Sequence, residues 1–458
     1  MAGLVLVLGA AVGGTACASK PAQSVETTGS IPKPVAEDTS AGKQASSEVT
    51  LKAANGPMSL EIAVQQAIAW HPSVAETASR LKQQHDAVEE ARSGYLPRVN
   101  WGVDSAYDSV ENAYRPMLNV SGSQMIYDFG KVDGRIKVAE AGVLGRRTQI
   151  LSAVDELARE TAYAFIEIRR AYALKSVAQD QIADTKEIMT LVRARTDQGA
   201  STRSDLLQAE SRVQAAQSTL LEITSQIDRW QSVLATLTGG NGRVASSGPF
   251  PAWLSKACVG SKPDWSQVPR VMRAEAEQKA ARAEIGLTHA EALPTLSVDA
   301  RIGSDVARIG SVDPEYRIGL NVSGSLYNGG ESAARRNAAT HALGASDAAV
   351  ARARVDIQKG LGEAASQVSS LVKLKQSLSS REGMMRETRD LYQKQYLELG
   401  TRSLLDVLNA AQELHAARFE KRRIEHDIHK LNIDCTFSGG KMRSSFALTG
   451  KTVQGIDL

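Results

Sequence analysis

The side chains from which a catalytic or metal centre would be built are sparse in this chain. His426-x-x-His429, flanked by Glu425 and Asp427, places two imidazoles one helical turn apart. A zinc site needs at least one further protein ligand. Beyond these neighbours on a single helix no further ligand stands out, so the pair reads as part of a solvated helix face. The chain contains no G-x-S-x-G, no P-loop and no H-E-x-x-H. No enzyme activity, cofactor or metal is expected. With 54 Lys+Arg against 51 Asp+Glu, the net charge of +3 offers no nucleic-acid footprint. The three cysteines, Cys17, Cys258 and Cys435, are the remaining reactive groups.

The elements that would position these residues are unusually long. All 13 prolines lie at or before Pro314, and residues 117–248 and 315–458 contain none. Proline breaks helix interiors, so these runs predict very long helices. Those over 130–197 and 330–397 would each extend about 100 Å at 1.5 Å per residue. Shorter helices over 203–237 and 403–435 return alongside them. Apolar spacing such as Leu157, Tyr163/Ala164, Ile168 and Ala171/Tyr172 fits one buried stripe per helix. Polar helices of this length need partners of equal length.

The N-terminus has the character of an export signal. Residues 4–12 are apolar and followed by small residues, and no uncharged apolar run elsewhere is long enough for a membrane helix. Residues 1–18 read as a signal peptide. Ala16-Cys17-Ala18 fits a cleavage box, whereas Thr15-Ala16-Cys17 resembles a lipoprotein box that would make Cys17 a lipidation site. Residues 19–57 are rich in small and polar residues and read as a flexible polar segment.

The rest is one unit written twice. Pro72 and Pro97 bracket a helical segment, as do Pro269 and Pro294 at the same spacing. Leu118-Asn-Val-Ser-Gly-Ser123 returns as Leu320-Asn-Val-Ser-Gly-Ser325, Tyr127-Asp128-Phe129-Gly130 as Tyr327-Asn328-Gly329-Gly330, and Gly199 as Gly400. The boundaries are 58–238 for the first repeat, 239–268 for a Gly/Pro-rich linker, 269–440 for the second repeat and 441–458 for a C-terminal tail. Each repeat reads helix, strand, strand, long helix, helix. The strands, at about 98–108, 117–127, 295–303 and 316–326, alternate in polarity. Val99, Trp101, Leu296, Val298, Ile318, Leu320 and Val322 oppose Asn100, Asp104, Asp299, Arg301, Arg317 and Asn321. About ten tilted residues suffice to cross a bilayer. Four strands cannot close a barrel, and open edges in lipid leave backbone groups unpaired, so a membrane reading requires several chains to share one barrel.

This order of elements resembles the TolC-type outer-membrane channel proteins of Gram-negative bacteria. The likeness is most specific at two helix hairpins, Gly199-Ala-Ser-Thr-Arg-Ser-Asp205-Leu-Leu-Gln-Ala209 and Gly400-Thr-Arg-Ser-Leu-Leu-Asp406-Val-Leu-Asn409-Ala410. The resemblance implies a mainly α chain with membrane β-structure. Three copies would form a homotrimer whose twelve-stranded barrel, in contact with outer-membrane lipid, continues as an α-helical barrel across the periplasm. It implies docking on a periplasmic adaptor, through tip residues Gly199, Ala200, Ser201, Gly400, Thr401 and Ser403, and on an inner-membrane ABC or RND transporter. It also implies a periplasmic gate, with Arg402 paired to Asp205 within or between chains and Asp406 in an acidic ring whose second position is Asn409. The second tip is similar to type I protein-secretion members. Drug or metal efflux is the alternative, and a non-pore periplasmic coiled-coil scaffold a remoter one.

The repeat also bears on the cysteines. Cys435 stands at the repeat equivalent of residue 235, where the first returning helix ends and the linker holding Cys258 begins. An oxidising periplasm permits a disulfide. Cys258 and Cys435 either pair across that junction or remain unpaired, with Cys435 packed as a small apolar side chain.

Overall fold

The computed structural model describes residues 58–108, 113–240, 244, 246–305, 315–453 and 455–457. The signal segment, the polar segment up to residue 57 and Cys17 lie outside them. In chain order, helices α1 (Leu60–Trp70) and α2 (Pro72–Arg92) precede strands β1 (Arg98–Asp108) and β2 (Ala113–Tyr127). Helix α3 (Lys131–Asp197) and its return α4 (Arg203–Thr238) complete the first repeat. The second repeat follows with α5 (Pro269–Glu291), β3 (Thr295–Asp305), β4 (Glu315–Ser323), α6 (Glu331–Lys394) and α7 (Leu404–Ser438). A short α8 (Met442–Ser445) and a two-residue hairpin of β5 (Thr452–Val453) and β6 (Ile456–Asp457) close the chain.

The four long strands form one antiparallel sheet in the order β1-β2-β3-β4, so the two repeats join at β2 and β3. Register aligns their faces. Trp101 lies opposite Val120, Val120 opposite Ile302 and Ile302 opposite Tyr316, all on one apolar side. Asn100, Ser121, Arg301 and Arg317 form the matching row on the polar side. On the two edge strands these apolar residues are bare, Trp101 79% exposed and Leu320 76%, while Val120 between them is half-buried. Strand β2 starts at Ala113, four residues earlier than the sequence suggested. Pro116 lies there opposite Ser105 of β1. Strand β4 stops at Ser323 rather than continuing to residue 326. Its partner β3 begins at Thr295, and the preceding Pro294 has no N–H to extend the ladder.

Each strand-to-helix junction turns sharply. In the first, the Asp128 carboxylate accepts from the N–H groups of Gly130 (2.9 Å) and Val132 (2.6 Å), with Phe129 and Gly130 at positive φ. In the second, Asn328 bonds Ser332 and glycines occupy both positive-φ positions. The repeat thus preserves the turn while changing its chemistry.

The main core lies midway along the helices. The middle of α3, including Ile150, Phe165 and Ile168, packs with α1, the end of α4, the linker residue Leu254 and Ile433 of α7. The stretch after residue 440 joins this core through the fully buried Met442 and Phe446. Within it, Arg443 donates to Asp155 of α3 at 2.8 Å and to the Gln267 carbonyl at 2.7 Å, clasping helix, linker and C-terminal segment together. A buried ion pair is costly to break by removing one partner. Cys258 and Cys435 are joined by a disulfide, with Cα atoms 5.2 Å apart, which fastens the linker to the end of α7.

Candidate functional site: the paired hairpin tips

The α3/α4 and α6/α7 hairpins end together, away from the sheet in the chain's order. Between them lies a small apolar plug of Ile188, Val192, Ala209, Leu404, Val407, Leu408 and Ala411. The helices reach it side by side, held by polar contacts that cross from one repeat to the other. Lys430 of α7 meets Glu167 of α3 at 2.9 Å, Asp427 meets Arg170 at 3.3 Å, and the buried His415 meets Asp184 at 2.8 Å. Hydrogen bonding from His415 holds the Asp184 carboxyl below its ordinary value. Similar contacts tie α6 to α7, where Glu382 receives Arg418 and Lys421.

Both turns use the same local device. In the first, Gly199 at φ +74° ends α3, and Thr202 caps α4. The Thr202 hydroxyl accepts from Asp205 N–H at 3.1 Å, and the Asp205 carboxylate accepts from Thr202 N–H at 3.0 Å and from the Ser201 hydroxyl at 2.9 Å. In the second, Gly400 at φ +65° ends the descent, and Ser403 and Asp406 form the equivalent reciprocal cap at 3.2 Å in each direction. These are capping boxes, here with Asp as the carboxylate. The backbone N–H of Thr202 is the main influence holding Asp205 below its ordinary carboxyl range, and the Ser403 hydroxyl does the same for Asp406, with Arg402 adding a smaller pull.

The two tips differ in one turn of helix. Before Gly400 the chain makes a π-helical turn over Gln395–Leu399, and Thr401 N–H reaches back to the Gln395 carbonyl. The equivalent bond of the first tip, Ala200 N–H to the Arg195 carbonyl, spans one residue fewer. Single π-turns often accompany functional positions.

The gate residues expected from the sequence occupy both tips, but within one chain Arg402 and Asp205 do not meet. The Arg402 guanidinium lies 4.3 Å over the Tyr392 ring and donates to Gln395 at 3.3 Å. Asp205 is occupied by its own helix start. The same-chain form of the pairing is therefore corrected: each partner is held by its own hairpin. Asp406 is half-buried and Asn409 exposed one turn further along α7. Gly199, Ala200, Gly400, Thr401 and Ser403 are exposed, whereas Ser201 is half-buried with its hydroxyl 3.5 Å from the Tyr396 hydroxyl.

Sequence reasoning passed over the residues that join the tips. Arg195 of α3 donates to the Leu397 carbonyl at 3.3 Å and stacks 4.8 Å from the Tyr396 ring. The available signal was an Arg and two Tyr within two turns of the hairpin glycines. The histidine reading also needs correction. His426 is buried, His429 half-buried, and both rings pack against Phe250 of the linker. Burial pushes His429 down to about 4. Among the described residues, no group of three His, Cys, Asp or Glu could hold a metal.

Comparison with known proteins agrees with this architecture. The family model described as outer membrane efflux protein matches residues 63–240 and 266–430. The outer membrane efflux protein BepC of Brucella suis is 21% identical over 364 residues, covering 75% of this chain and 77% of that one. The alkaline protease secretion protein AprF of Pseudomonas aeruginosa is 23% identical over 308 residues, covering 61% and 62%. Among solved structures, the outer membrane protein VceC from Vibrio cholerae superposes with a TM-score of 0.72 at 16% identity, covering 83% of this chain and 96% of that one. The family match covers most of both repeats, and the chain belongs to the outer membrane efflux protein family, seated in the outer membrane and extending into the periplasm.

Proposed function

We propose that three copies of this chain form one export duct. The observation that carries this reading is the sheet: apolar on one face, polar on the other, and open at both β1 and β4. In lipid such edges must be closed by further strands. The antiparallel order lets β4 of one copy lie beside β1 of the next, giving a twelve-stranded barrel. The long helices would continue the duct, and the exposed tip residues Gly199, Ala200, Gly400, Thr401 and Ser403 would dock on a periplasmic adaptor serving an inner-membrane ABC or RND transporter. Arg402 and Asp205 would latch the tips between neighbouring copies, with Asp406 facing the axis.

Protein secretion is the cargo reading favoured here, supported by the second tip sequence and by the likeness to AprF. Small-molecule efflux is the second reading, favoured by the likeness to BepC. Purified protein should form long-lived ion channels in planar bilayers and remain in the membrane fraction at high salt. Extraction by salt without conductance would support a peripheral scaffold instead. Co-expression with a protein-secretion adaptor and transporter, or with a drug or metal efflux pair, separates the cargo readings: secreted polypeptide in the medium against altered drug or metal sensitivity.

A further inference from the structure

The polar face of the sheet carries an arrangement that strand pairing alone would disfavour. Arg301 of β3 and Arg317 of β4 lie directly opposite each other. Like charges in that relation repel across a sheet. Their row continues through Ser121 and Asn100, so it contains two guanidinium groups, a hydroxyl and an amide but no carboxylate. The nearest acids on that face, Asp104, Asp299 and Glu315, stand in other rows, and two of them are engaged. Asp104 accepts from the Asn119 amide at 2.8 Å, and Asp299 from the Ser297 hydroxyl at 3.2 Å. Among the described residues, neither arginine has a carboxylate within ion-pair distance. Both line a groove of about 570 Å³, together with Asn100, Ser121, Asn321 and one carboxylate, Asp299.

Guanidinium groups bind carboxylate, phosphate and sulfate through paired N–H donors. An oxyanion between Arg301 and Arg317 would relieve their repulsion, while the flanking hydroxyl and amide supply further donors. We infer that this row is a binding rung for multivalent oxyanions inside the barrel, and that it gives anionic solutes a preferred station in the duct. The inference rests on the proposed barrel, in which three copies bring six arginines to one level.

The test is block of single channels in planar bilayers by inositol hexakisphosphate added on the barrel side. Wild-type channels should be blocked, and Arg301→Gln/Arg317→Gln should raise the half-blocking concentration at least tenfold while retaining heat-sensitive trimers. Should the double variant fail to insert, Arg301→Gln alone should raise it about threefold. Equal block in wild type and variant, or no block of conducting wild-type channels, overturns the rung. So does unchanged block with weakened trimers, which would assign the arginines to ion pairs between copies. Absence of any wild-type conductance overturns the duct reading itself, and the rung with it.

Discussion

Helices α3 and α6 hold the same place in the two repeats, yet 23 residues of α3 are buried and only 6 of α6. Helix α3 lies inside the layer, flanked by α4 and α7 and covered by α1, α2 and α5. Helix α6 has α7 and α5 on one side, and Val355, Val372, Leu374, Met384 and Leu391 are exposed along it. On the opposite edge, α4 exposes Leu207 and Leu221. Duplication supplied two similar helices, and their positions made one a core element and the other a border. A border with such apolar residues is the helical counterpart of the open sheet edge, and a second copy's α4 is the surface we propose for it.

The largest expected effect lies on the interior helix. Phe165→Ala should cost about 3–5 kcal/mol by emptying the central core, read as a lower urea midpoint of the helical signal. Val372→Ala on α6 should change that midpoint little in the separated chain. Equal losses would remove the distinction between interior and border.

Next come the disulfide and the sheet. Chain entropy assigns the 177-residue separation about 5 kcal/mol, and engineered cases commonly deliver less. Cys258→Ser/Cys435→Ser should therefore lower the thermal midpoint of the linker-bearing core. Thiol labelling of the denatured, unreduced protein should find neither residue free. On the border strand β4, Leu320→Arg should cost about 2–4 kcal/mol in the bilayer and reduce trimer yield, whereas its neighbour Asn321→Arg should not. Equal tolerance would reverse the assignment of faces.

The tips should respond least. Thr202→Ala and Ser403→Ala remove equivalent caps and should each cost about 1 kcal/mol, seen as faster amide exchange in the first turns of α4 and α7. Asp205 and Asp406 have folded pKa values below their ordinary 3.8. Their contribution is therefore present above that value and lost as the pH falls through the folded pKa, so the protection factors of both turns, corrected for the intrinsic pH dependence of exchange, should fall below about pH 4. Arg402→Ser should raise single-channel conductance although an exposed pair is worth only about 0–1 kcal/mol, because three copies act on one opening. Unchanged conductance for both Arg402→Ser and Asp205→Ala would dismiss the latch.

Long-range order was legible in the sequence where one physical rule acts over many residues. The proline-free runs mark α3 and α6, alternating polarity marks the sheet faces, and the repeated Leu-Asn-Val-Ser-Gly-Ser marks the duplication. The tips were legible in position but not in partnership. Asp205 and Asp406 look alike as free charges or as caps, and only the turn geometry directs their carboxylates to Thr202 and Ser403. Arg195 and Tyr396 meet across repeats, a pairing that neither local sequence contains. His426 was misplaced because its helix is polar in composition, while the linker's Phe250 covers it from outside the helix. The segment after residue 440 is too short for periodicity to reveal that Met442 and Phe446 enter the core.

The central claim is that the open sheet and the one-sided α6 are completed by copies of the same chain. Native mass spectrometry of the detergent-extracted protein tests it most directly. The account predicts a dominant species of three mature chains that dissociates on heating. A monomer at concentrations where the protein conducts in bilayers would contradict it.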